Sequence, residues 1–264
     1  MSAEPKAVDP YADARMTVIE HLYELRRRVL WAGLGVALCV AISWGFVEHI
    51  FELLMMPLRN AAPSAELAEM HHKDLAEPFF VLLKTAIFAG VFVSVPWLLV
   101  QLWAFVAPGL YVHEKRVAIP FVLLATLFFV GGASFCFFVV MPLGYEFLLL
   151  FSMEVSQPEL MMNEYLALTT KLLLGFGLIF ELPVFSMFLS WMGLLTHHHL
   201  IKFWRHAVVA AFIISAMLTP PDIVTQTLMA VPLIVLYFVS IGVAWFFTTR
   251  REARLAEELG TSDE

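Results

Sequence analysis

The amino-acid sequence predicts an all-α membrane protein with six transmembrane helices and both termini in the cytoplasm. Three observations predict this fold class: the composition, the length of the apolar stretches and the distribution of basic residues. Of the 264 residues, 61% are hydrophobic and only 15% are charged, whereas soluble domains are typically about 45–50% apolar and about 25% charged. The composition therefore indicates a chain whose surface faces lipid.

Apolar stretches long enough to cross a bilayer occur repeatedly along the chain. The hydrocarbon core is about 30 Å thick and needs about 20 apolar residues of helix. Five stretches meet this length, and a sixth is shorter: 29–48, 79–104, 117–141, 166–192 and 223–247, with 204–218 as the shorter one. The shorter stretch would reach only about 22 Å, and the prolines of LTPPD favour a tight reversal after it. We therefore expect the last two helices to form a short hairpin.

Lysine and arginine are distributed unevenly between the predicted loops. With the amino terminus inside, twelve of the sixteen basic residues lie on the inner side. The outer side and the outer ends of the spans hold Arg59, Lys73, Lys84 and Lys171. Because basic loops are retained in the cytoplasm, this bias predicts cytoplasmic termini and a multi-pass protein of the cytoplasmic (inner) membrane.

On this topology the chain divides into three parts. Residues 1–28 form a cytoplasmic amphipathic segment, 29–247 a single six-helix transmembrane domain, and 248–264 a charged cytoplasmic tail. The two larger outer loops are expected at 49–78, which is rich in Pro, Glu and His, and at 146–165, which is acidic. No internal repeat is visible in the sequence, which weakens the hypothesis of a transporter built from inverted repeats.

The segment HLYELRRR, residues 21–28, comes directly before the first predicted span. His21, Glu24, Leu25 and Arg28 recur at helical spacing, which is typical of an amphipathic helix at the inner interface. One interpretation is an anchor, in which arginines contact lipid phosphates and Glu24 pairs with Arg28 one turn later. The other is that Glu24 binds a ligand.

The second cytoplasmic stretch is QLWAFVAPGLYVHEKR, residues 101–116, in which Pro108 and Gly109 end the helix. Glu114 then faces the same compartment as Glu24. Carboxylates accept an arginine guanidinium through two parallel hydrogen bonds, which lysine cannot reproduce. Two such carboxylates could bind a ligand that carries arginines, although Glu114 could instead balance its basic neighbours.

One carboxylate, Glu181, lies in the middle of the apolar run FGLIFELPVF, residues 176–185. Ten residues of helix from Lys171 correspond to about 15 Å of rise, so we expect Glu181 near the middle of the bilayer. An ionisable group at that depth is costly unless it is protonated, paired or hydrated, and such residues are functional by default. A water-filled notch, a bonding point for a partner helix, and a protonated glutamate bonded to a neighbouring span remain open.

The sequence LTPPDIVTQ, residues 218–226, holds a further polar set between the last two spans. Asp222 follows two prolines and is expected to cap the final helix by accepting hydrogen bonds from its first N–H groups. Gln226 falls one turn later on the same face. Capping explains Asp222, but it does not explain a glutamine in the apolar helix.

Several other functions are disfavoured. The net charge of −7 argues against a nucleic-acid partner, which needs a basic surface. Cys39 and Cys136 lie in apolar runs without a CxxC motif, and no HExxH zinc motif or phosphate-binding glycine loop occurs. Consecutive side chains of His197–His199 point in different directions on a helix and cannot all bind one metal. No cofactor or metal is therefore expected.

Taken together, these motifs resemble the TatC family, the multispanning core of the twin-arginine protein translocase. The resemblance covers nearly the whole chain. It comprises HLYELRRR, Pro57, EPFFVLLK, QLWAFVAPGLYVHEKR, GFGLIFELPV and MLTPPDIVTQT, in this order. One departure is Thr225, where serine is expected, and Lys171 and His197–His199 are not features associated with the family.

The resemblance implies roles for particular residues. Signal-peptide binding at the cytoplasmic face is implied for Glu24, Glu114, Phe105, His21 and Arg26. Docking of partner subunits is implied for Met217, Thr219, Pro221, Asp222 and Gln226. Glu181 matches the intramembrane polar position, and Pro57 a structural position in the outer loop.

The resemblance also implies an activity and a set of partners. The protein would recognise twin-arginine signal peptides of folded cargo and export the cargo with energy from the proton-motive force. Its partners would be TatA- and TatB-like single-span subunits, in a homo-oligomeric receptor complex around concave, glove-like bundles. The alternatives are a proton-coupled small-molecule transporter that uses Glu181 as its proton carrier, and a purely structural membrane scaffold.

Overall fold

The computed structural model describes residues 18–62, 70–106, 118–155, 160–219 and 222–260 of the chain. The described residues are helical apart from short connections and one pair of two-residue strands. The helices are α1 (Val18–Trp44), α2 (Val47–Ala61), α3 (Glu77–Val106), α4 (Ala118–Phe135), a π-helical turn (Cys136–Val140), α5 (Met141–Val155), α6 (Met162–Phe180), α7 (Leu182–Trp191), α8 (His197–Leu218) and α9 (Ile223–Gly260). The strands are β1 (Met70–His71) and β2 (Leu160–Met161).

Five helical stretches in the described part of the chain are long and apolar enough to cross a membrane. They are Glu77–Phe105, Ile119–Glu154, Met162–Trp191, His197–Leu218 and Ile223–Arg250. Helices α1 and α2 make a sixth if this pair, which bends by 86°, counts as one span. The prediction of an all-α protein with multiple membrane-spanning helices is therefore confirmed.

Two regions predicted to be outer loops contain helix, and these predictions were wrong in part. Helix α2 occupies 47–61, at the start of the predicted loop 49–78, because Val47, Leu54, Met55 and Leu58 recur at helical spacing and are buried. The third span does not end near residue 141 but continues as helix to Val155. Its apolar side chains extend past Pro142, so the helix has a hydrophobic surface to pack along its whole length.

The π-helical turn explains how a proline is accommodated inside this long helix. Pro142 has no N–H group and cannot donate the hydrogen bond that an α-helix requires. One residue earlier, the N–H of Met141 donates to the carbonyl of Cys136, five residues back. This wider turn absorbs the missing bond and the crowding of the proline ring.

The prediction that the last two helices are short was also wrong. Helix α8 has 22 residues, and the apolar part of α9 has 28, which correspond to about 33 Å and about 42 Å. The predicted span began at residue 204 because the preceding residues are histidine-rich. Polar residues are tolerated in the first turns of a membrane-spanning helix when those turns lie at the membrane surface. Helix α9 also continues beyond the predicted boundary at residue 247 to Gly260. Helix α1 likewise continues without a break across the predicted boundary at Arg28.

Helices α1 and α3 pack along each other at a separation set by glycine. A Cβ atom on Gly90 would lie 2.5 Å from the Cα atom of Val40, and one on Gly35 would lie 2.3 Å from the Trp97 ring. The ring nitrogen of Trp97 donates a 2.9 Å hydrogen bond to the carbonyl of Trp31. Small residues therefore let these two backbones approach closely, as is common between helices in lipid.

Helix α2 is held across the bundle by buried contacts with α6. The hydroxyl of Tyr165 donates a 2.6 Å hydrogen bond to the carbonyl of Leu54, and Pro57 is fully buried beside Leu58. The hydroxyls of Tyr145 and Thr169 are 2.8 Å apart in the same region. The bond from Tyr165 ties α2, which is bent by 86° from α1, to α6.

The segments that precede α3 and α6 are tied together at one end of the bundle, which we call the strand end. Strands β1 and β2 are parallel, with Met70 opposite Leu160. The Glu77 carboxylate accepts hydrogen bonds from the backbone N–H groups of Lys73 and Asn163, at 2.6 and 3.2 Å. The Lys73 ammonium lies 2.7 Å from Glu164, and this hydrogen bond raises the pKa of Lys73. The other end of the bundle, where α1 begins and α3 ends, is called the α1 end.

Replacing Gly132 by alanine is expected to destabilise the contact between α4 and α6. The added Cβ atom would lie 2.5 Å from Cγ of Phe180 and 2.7 Å from the Phe176 carbonyl oxygen. Overpacking of this kind typically costs about 1–3 kcal/mol, so the Tm of the detergent-solubilised protein should fall. Gly131→Ala is the matched control, because its Cβ meets no described atom within 4 Å. Equal Tm values for the two variants would contradict this packing.

Candidate functional site

The α1 end of the bundle brings two predicted site residues into contact. The rings of His21, near the start of α1, and Phe105, near the end of α3, stack with their centroids 4.5 Å apart. His21 is exposed and Phe105 is half-buried. Residues that are far apart in sequence thus form one aromatic surface beside the start of α1.

Glu24 lies on α1 one turn after His21 and pairs with Arg28, as its helical spacing predicted. Both Nε and Nη2 of Arg28 lie 2.6 Å from the same carboxylate oxygen, Oε1. The second oxygen, Oε2, accepts no hydrogen bond from any described residue. Both side chains are partly exposed, at 18% for Glu24 and 29% for Arg28, so the pair is open to exchange with a ligand.

Of the other two residues in this predicted set, the structure describes Arg26 but not Glu114. Arg26 is exposed on α1. Glu114 lies outside the described residues, as does Pro221 of the other predicted set. The distance between Glu114 and Glu24 therefore lies outside the described part of the chain, and the role of Glu114 stays a prediction.

Glu181 marks a break between helices α6 and α7. Its backbone closes α6 and opens α7: its N–H donates to Leu178 at 3.2 Å, and its carbonyl accepts from Phe185 at 2.8 Å. Pro183 follows in the first turn of α7, where a missing N–H is tolerated. Helix α6 therefore ends and α7 begins at Glu181, two residues before this proline.

Glu181 carries an ionisable carboxyl group, yet the residue is only 4% exposed. Neither carboxylate oxygen has a hydrogen-bond partner among the described residues. The interpretation of a glutamate bonded to a neighbouring span therefore finds no support in the described part of the chain. A buried polar group without a partner is costly, which is typical of a site that binds water or a ligand.

Sequence reasoning missed further polar atoms that are buried without a described partner. They are Oε1 of Gln101, Nε1 of Trp103, Oγ of Ser190, Nδ1 of His197 and Oγ of Ser215. Trp103 packs against Phe121 and Phe188, with ring centroids 4.8 Å away in each case. Gln101 and Ser190 could have been singled out as polar residues inside apolar runs, the same signal that identified Glu181.

The turn between α8 and α9 holds the second predicted set at the strand end. Oδ1 of Asp222 accepts a 2.7 Å hydrogen bond from the N–H of Thr225, and Oδ2 accepts another from the Thr225 hydroxyl. Asp222 is therefore an N-terminal cap of α9, as predicted. Thr219 is buried and donates to the carbonyl of Ser215 at 2.9 Å, whereas Met217 is 76% exposed.

Gln226 has a structural partner that the sequence did not reveal. Its amide nitrogen donates a 3.0 Å hydrogen bond to the carbonyl of Phe212 on α8. This bond ties the two helices together and explains a glutamine in an apolar helix. The α8–α9 turn is separated from the His21–Phe105 contact by the length of α8, about 33 Å, so the two predicted sets form separate sites.

The three consecutive histidines lie in the first turn of α8. The rings of His197 and His198 are 3.9 Å apart, and Nδ1 of His199 is 2.7 Å from the Thr196 hydroxyl. Within the described ranges, no group of three His, Cys, Asp or Glu side chains could hold a metal ion.

Comparisons with known proteins agree with this architecture. The model of the family described as Sec-independent protein translocase protein (TatC) matches residues 20–232. A Sec-independent protein translocase protein TatC from Desulforapulum autotrophicum is 40% identical over 244 residues, which cover 92% of this chain and 90% of that protein. A TatC from Aquifex aeolicus is 36% identical over 239 residues, covering 90% and 98%.

A solved structure is also similar. The crystal structure described as "Twin Arginine Translocase Receptor- TatC" has a TM-score of 0.78 and 36% sequence identity. The match covers 87% of this chain and 100% of that one. The chain described here therefore belongs to the TatC family and is a multi-pass membrane component of a Sec-independent protein translocase.

Proposed function

We propose that this protein is the signal-peptide receptor and core subunit of the twin-arginine translocase of the cytoplasmic membrane. It would export folded proteins with energy from the proton-motive force. The observation that carries this proposal is the α1-end surface, where the His21–Phe105 stack lies beside Glu24, whose Oε2 accepts no hydrogen bond from the described part of the chain. Membership of the TatC family supports it.

The α1 end is proposed to bind the two arginines of the signal peptide. A guanidinium can use two N–H groups on the two oxygens of one carboxylate, whereas a lysine ammonium acts as a point charge. Glu24 would receive one arginine by exchange with Arg28, and Glu114 would receive the other. The exposed His21 and Arg26 and the half-buried Phe105 would contact the rest of the peptide.

The proposed topology places the α1 end and both termini in the cytoplasm. It rests on the inner-side excess of lysine and arginine, twelve residues against four. The strand end, with α2 and the α8–α9 turn, would then face the periplasm. Signal-peptide arginines would therefore meet Glu24 before any part of the cargo crosses the membrane.

TatA- and TatB-like single-span subunits are proposed to dock near the α8–α9 turn, on Met217, Thr219, Pro221, Asp222 and Gln226. The exposed Met217 supplies flexible apolar surface there. The buried Glu181 would contact an inserted signal peptide or a partner helix from within a concave, glove-like bundle. Several copies of the chain would assemble into the receptor complex, and Pro57 would hold the outer segment in place.

Binding of a labelled twin-arginine peptide to the purified protein tests the receptor role. Wild type should prefer this peptide to the same peptide with two lysines, and the preference should disappear in Glu24→Gln and in Glu114→Gln. Loss of a charge-assisted hydrogen bond costs about 1.5–3 kcal/mol, which corresponds to about a tenfold to hundredfold loss of affinity. Glu48→Gln, which changes an exposed carboxylate on α2, is the control. Equal binding of both peptides to wild type would exclude recognition of arginine here.

Arg28→Gln should strengthen peptide binding if Glu24 exchanges its partner. The variant frees Oε1 of Glu24, so the peptide no longer competes with an internal pair. Exposed helical pairs of this spacing contribute about 0.3–0.5 kcal/mol, so an increase of about twofold is expected in the same assay. Arg27→Gln removes the same charge from the neighbouring exposed position, so it measures the loss of repulsion between like charges alone and should raise the affinity less than Arg28→Gln does. Weaker binding in Arg28→Gln than in Arg27→Gln would argue against the exchange.

Glu181→Leu should raise stability while it abolishes export. The change removes a buried carboxyl group without a described partner, which costs about 1–3 kcal/mol when left unbonded, so Tm in detergent should increase. Export of a twin-arginine reporter should be lost because the proposed contact is lost. Glu52→Leu on the exposed face of α2 should preserve export. A lower Tm would indicate that Glu181 is a structural group with a partner.

The proton-coupled transporter remains the second candidate because an unpaired buried carboxylate could also carry a proton. It predicts substrate uptake by liposomes that contain this protein alone, and loss of that uptake in Glu181→Gln. A receptor subunit predicts no uptake without its partners.

A further inference from the structure

A groove of about 490 Å³ opens at the strand end between α5, α6 and the α8–α9 turn. Its wall is mostly apolar and includes Leu148, Leu149, Leu168 and Leu218. Two charged side chains, Glu164 and Lys171, also line it, with Ser152 and Thr219 as neutral polar groups. We call this cavity the strand-end groove.

The two charges in the strand-end groove differ in their partners. Glu164 is neutralised by Lys73, whose ammonium lies 2.7 Å away. Lys171 is exposed and forms no hydrogen bond or ion pair with any residue that the structure describes. Among the residues that the structure describes, the groove therefore presents one cation without a partner, Lys171, against an apolar wall.

The position of Lys171 on α6 determines the depth of this cation. It lies nine residues after the start of α6 at Met162, which is about 14 Å along the helix axis. Helical side chains lean towards the N-terminus of their helix, and a long lysine side chain extends to the interface when its Cα atom is in the membrane. From this geometry we expect the ammonium to extend towards the strand end, on the side of Ala167 and Leu168, two further lining residues.

We propose that the strand-end groove binds one anionic phospholipid, with its phosphate on the Lys171 ammonium and an acyl chain along the leucine wall. Charge complementarity selects the anion, because the other charged residue in the described lining, Glu164, is already paired with Lys73. The depth of the ammonium matches a headgroup at the membrane surface, and the leucines continue towards the centre of the bilayer. Lysine, as a point charge with three donors, accommodates a phosphate that has no fixed orientation.

The size of the groove favours a lipid over a partner helix inside it, so the partner subunits proposed above would pack beside the lipid, on the exposed Met217 at its edge. A helix about 10–12 Å across occupies about 500 Å³ for each turn, so the groove would hold about one turn of it. An acyl chain is thinner and can lie along the groove over a greater length. Small-molecule sites commonly enclose about 300–1,000 Å³, a range that includes this volume.

Native mass spectrometry of the full chain, released from detergent and titrated with lipid, tests the site. Dioleoylphosphatidylglycerol should bind more tightly than dioleoylphosphatidylcholine, and Lys171→Gln should reduce the affinity for phosphatidylglycerol about fivefold. Lys202→Gln is the matched control, since it removes an exposed lysine from α8 near the α1 end and should leave this affinity unchanged. Equal affinity of the wild type for the two lipids, or an unchanged affinity in Lys171→Gln, would overturn the proposal.

Two further measurements distinguish binding of a lipid from binding of any other anion. Ala167→Phe fills the groove at an exposed position and keeps Lys171, so it should abolish tight binding of phosphatidylglycerol while Tm stays close to that of wild type. Glycerol 3-phosphate carries the phosphate without acyl chains and should not compete at the same concentration. If glycerol 3-phosphate competes equally, or if Ala167→Phe binds the lipid like wild type, the site is an anion site without an acyl-chain groove and the proposal fails.

Discussion

The close approach of helix backbones through glycine is the constraint on which the rest of the structure depends. In lipid, apolar side chains gain little by leaving the solvent, so helices associate through van der Waals packing and hydrogen bonds between them. Gly90 brings α3 against the backbone of α1, and Gly132 and Gly177 bring α4 and α6 together around Phe129 and Phe176. These contacts fix the angles between helices, and therefore they fix where the ends of each helix lie.

Polar interactions are concentrated at the two ends of the bundle, where that packing places side chains from different helices side by side. At the strand end, Glu77 bonds the backbone of the two segments before α3 and α6, and Asp222 caps α9. Within the helices, a buried hydroxyl can donate to the carbonyl group one turn earlier, as Thr85 does to Val81. Some other buried atoms without a described partner, such as Oγ of Ser190, belong to neutral groups, whereas Glu181 carries an ionisable carboxyl group. Its position at a helix break is consistent with a site that a ligand or water completes.

The sequence predicted most of the spans and the most unusual polar residue, and the reasons are physical. A bilayer requires about 20 apolar residues in one run, so runs such as 79–104 and 166–192 identify their helices without any knowledge of packing. Helix α2 was not predicted, because an amphipathic helix has no such length signal. The third span was predicted to end near residue 141, although its apolar residues continue beyond Pro142. The stack of His21 on Phe105 joins residues 84 positions apart in the sequence, and the bond from Gln226 to Phe212 crosses between helices. Neither contact has a signature in one chain read alone.

The partial exposure of the Glu24–Arg28 pair bears directly on its proposed role. Breaking a buried ion pair costs about 3–5 kcal/mol, and a glutamate held in that way could not change partners during each export cycle. The observed pair is partly exposed, uses only one carboxylate oxygen and spans a single helical turn, so its loss costs a few tenths of a kcal/mol. A peptide guanidinium that engages both oxygens gains a second charge-assisted hydrogen bond and can displace Arg28, whereas a lysine makes no such two-point contact. In the proposed role, the internal arginine would weaken binding of any single cation slightly, and the discrimination between arginine and lysine would come from the carboxylate oxygen that Arg28 leaves free.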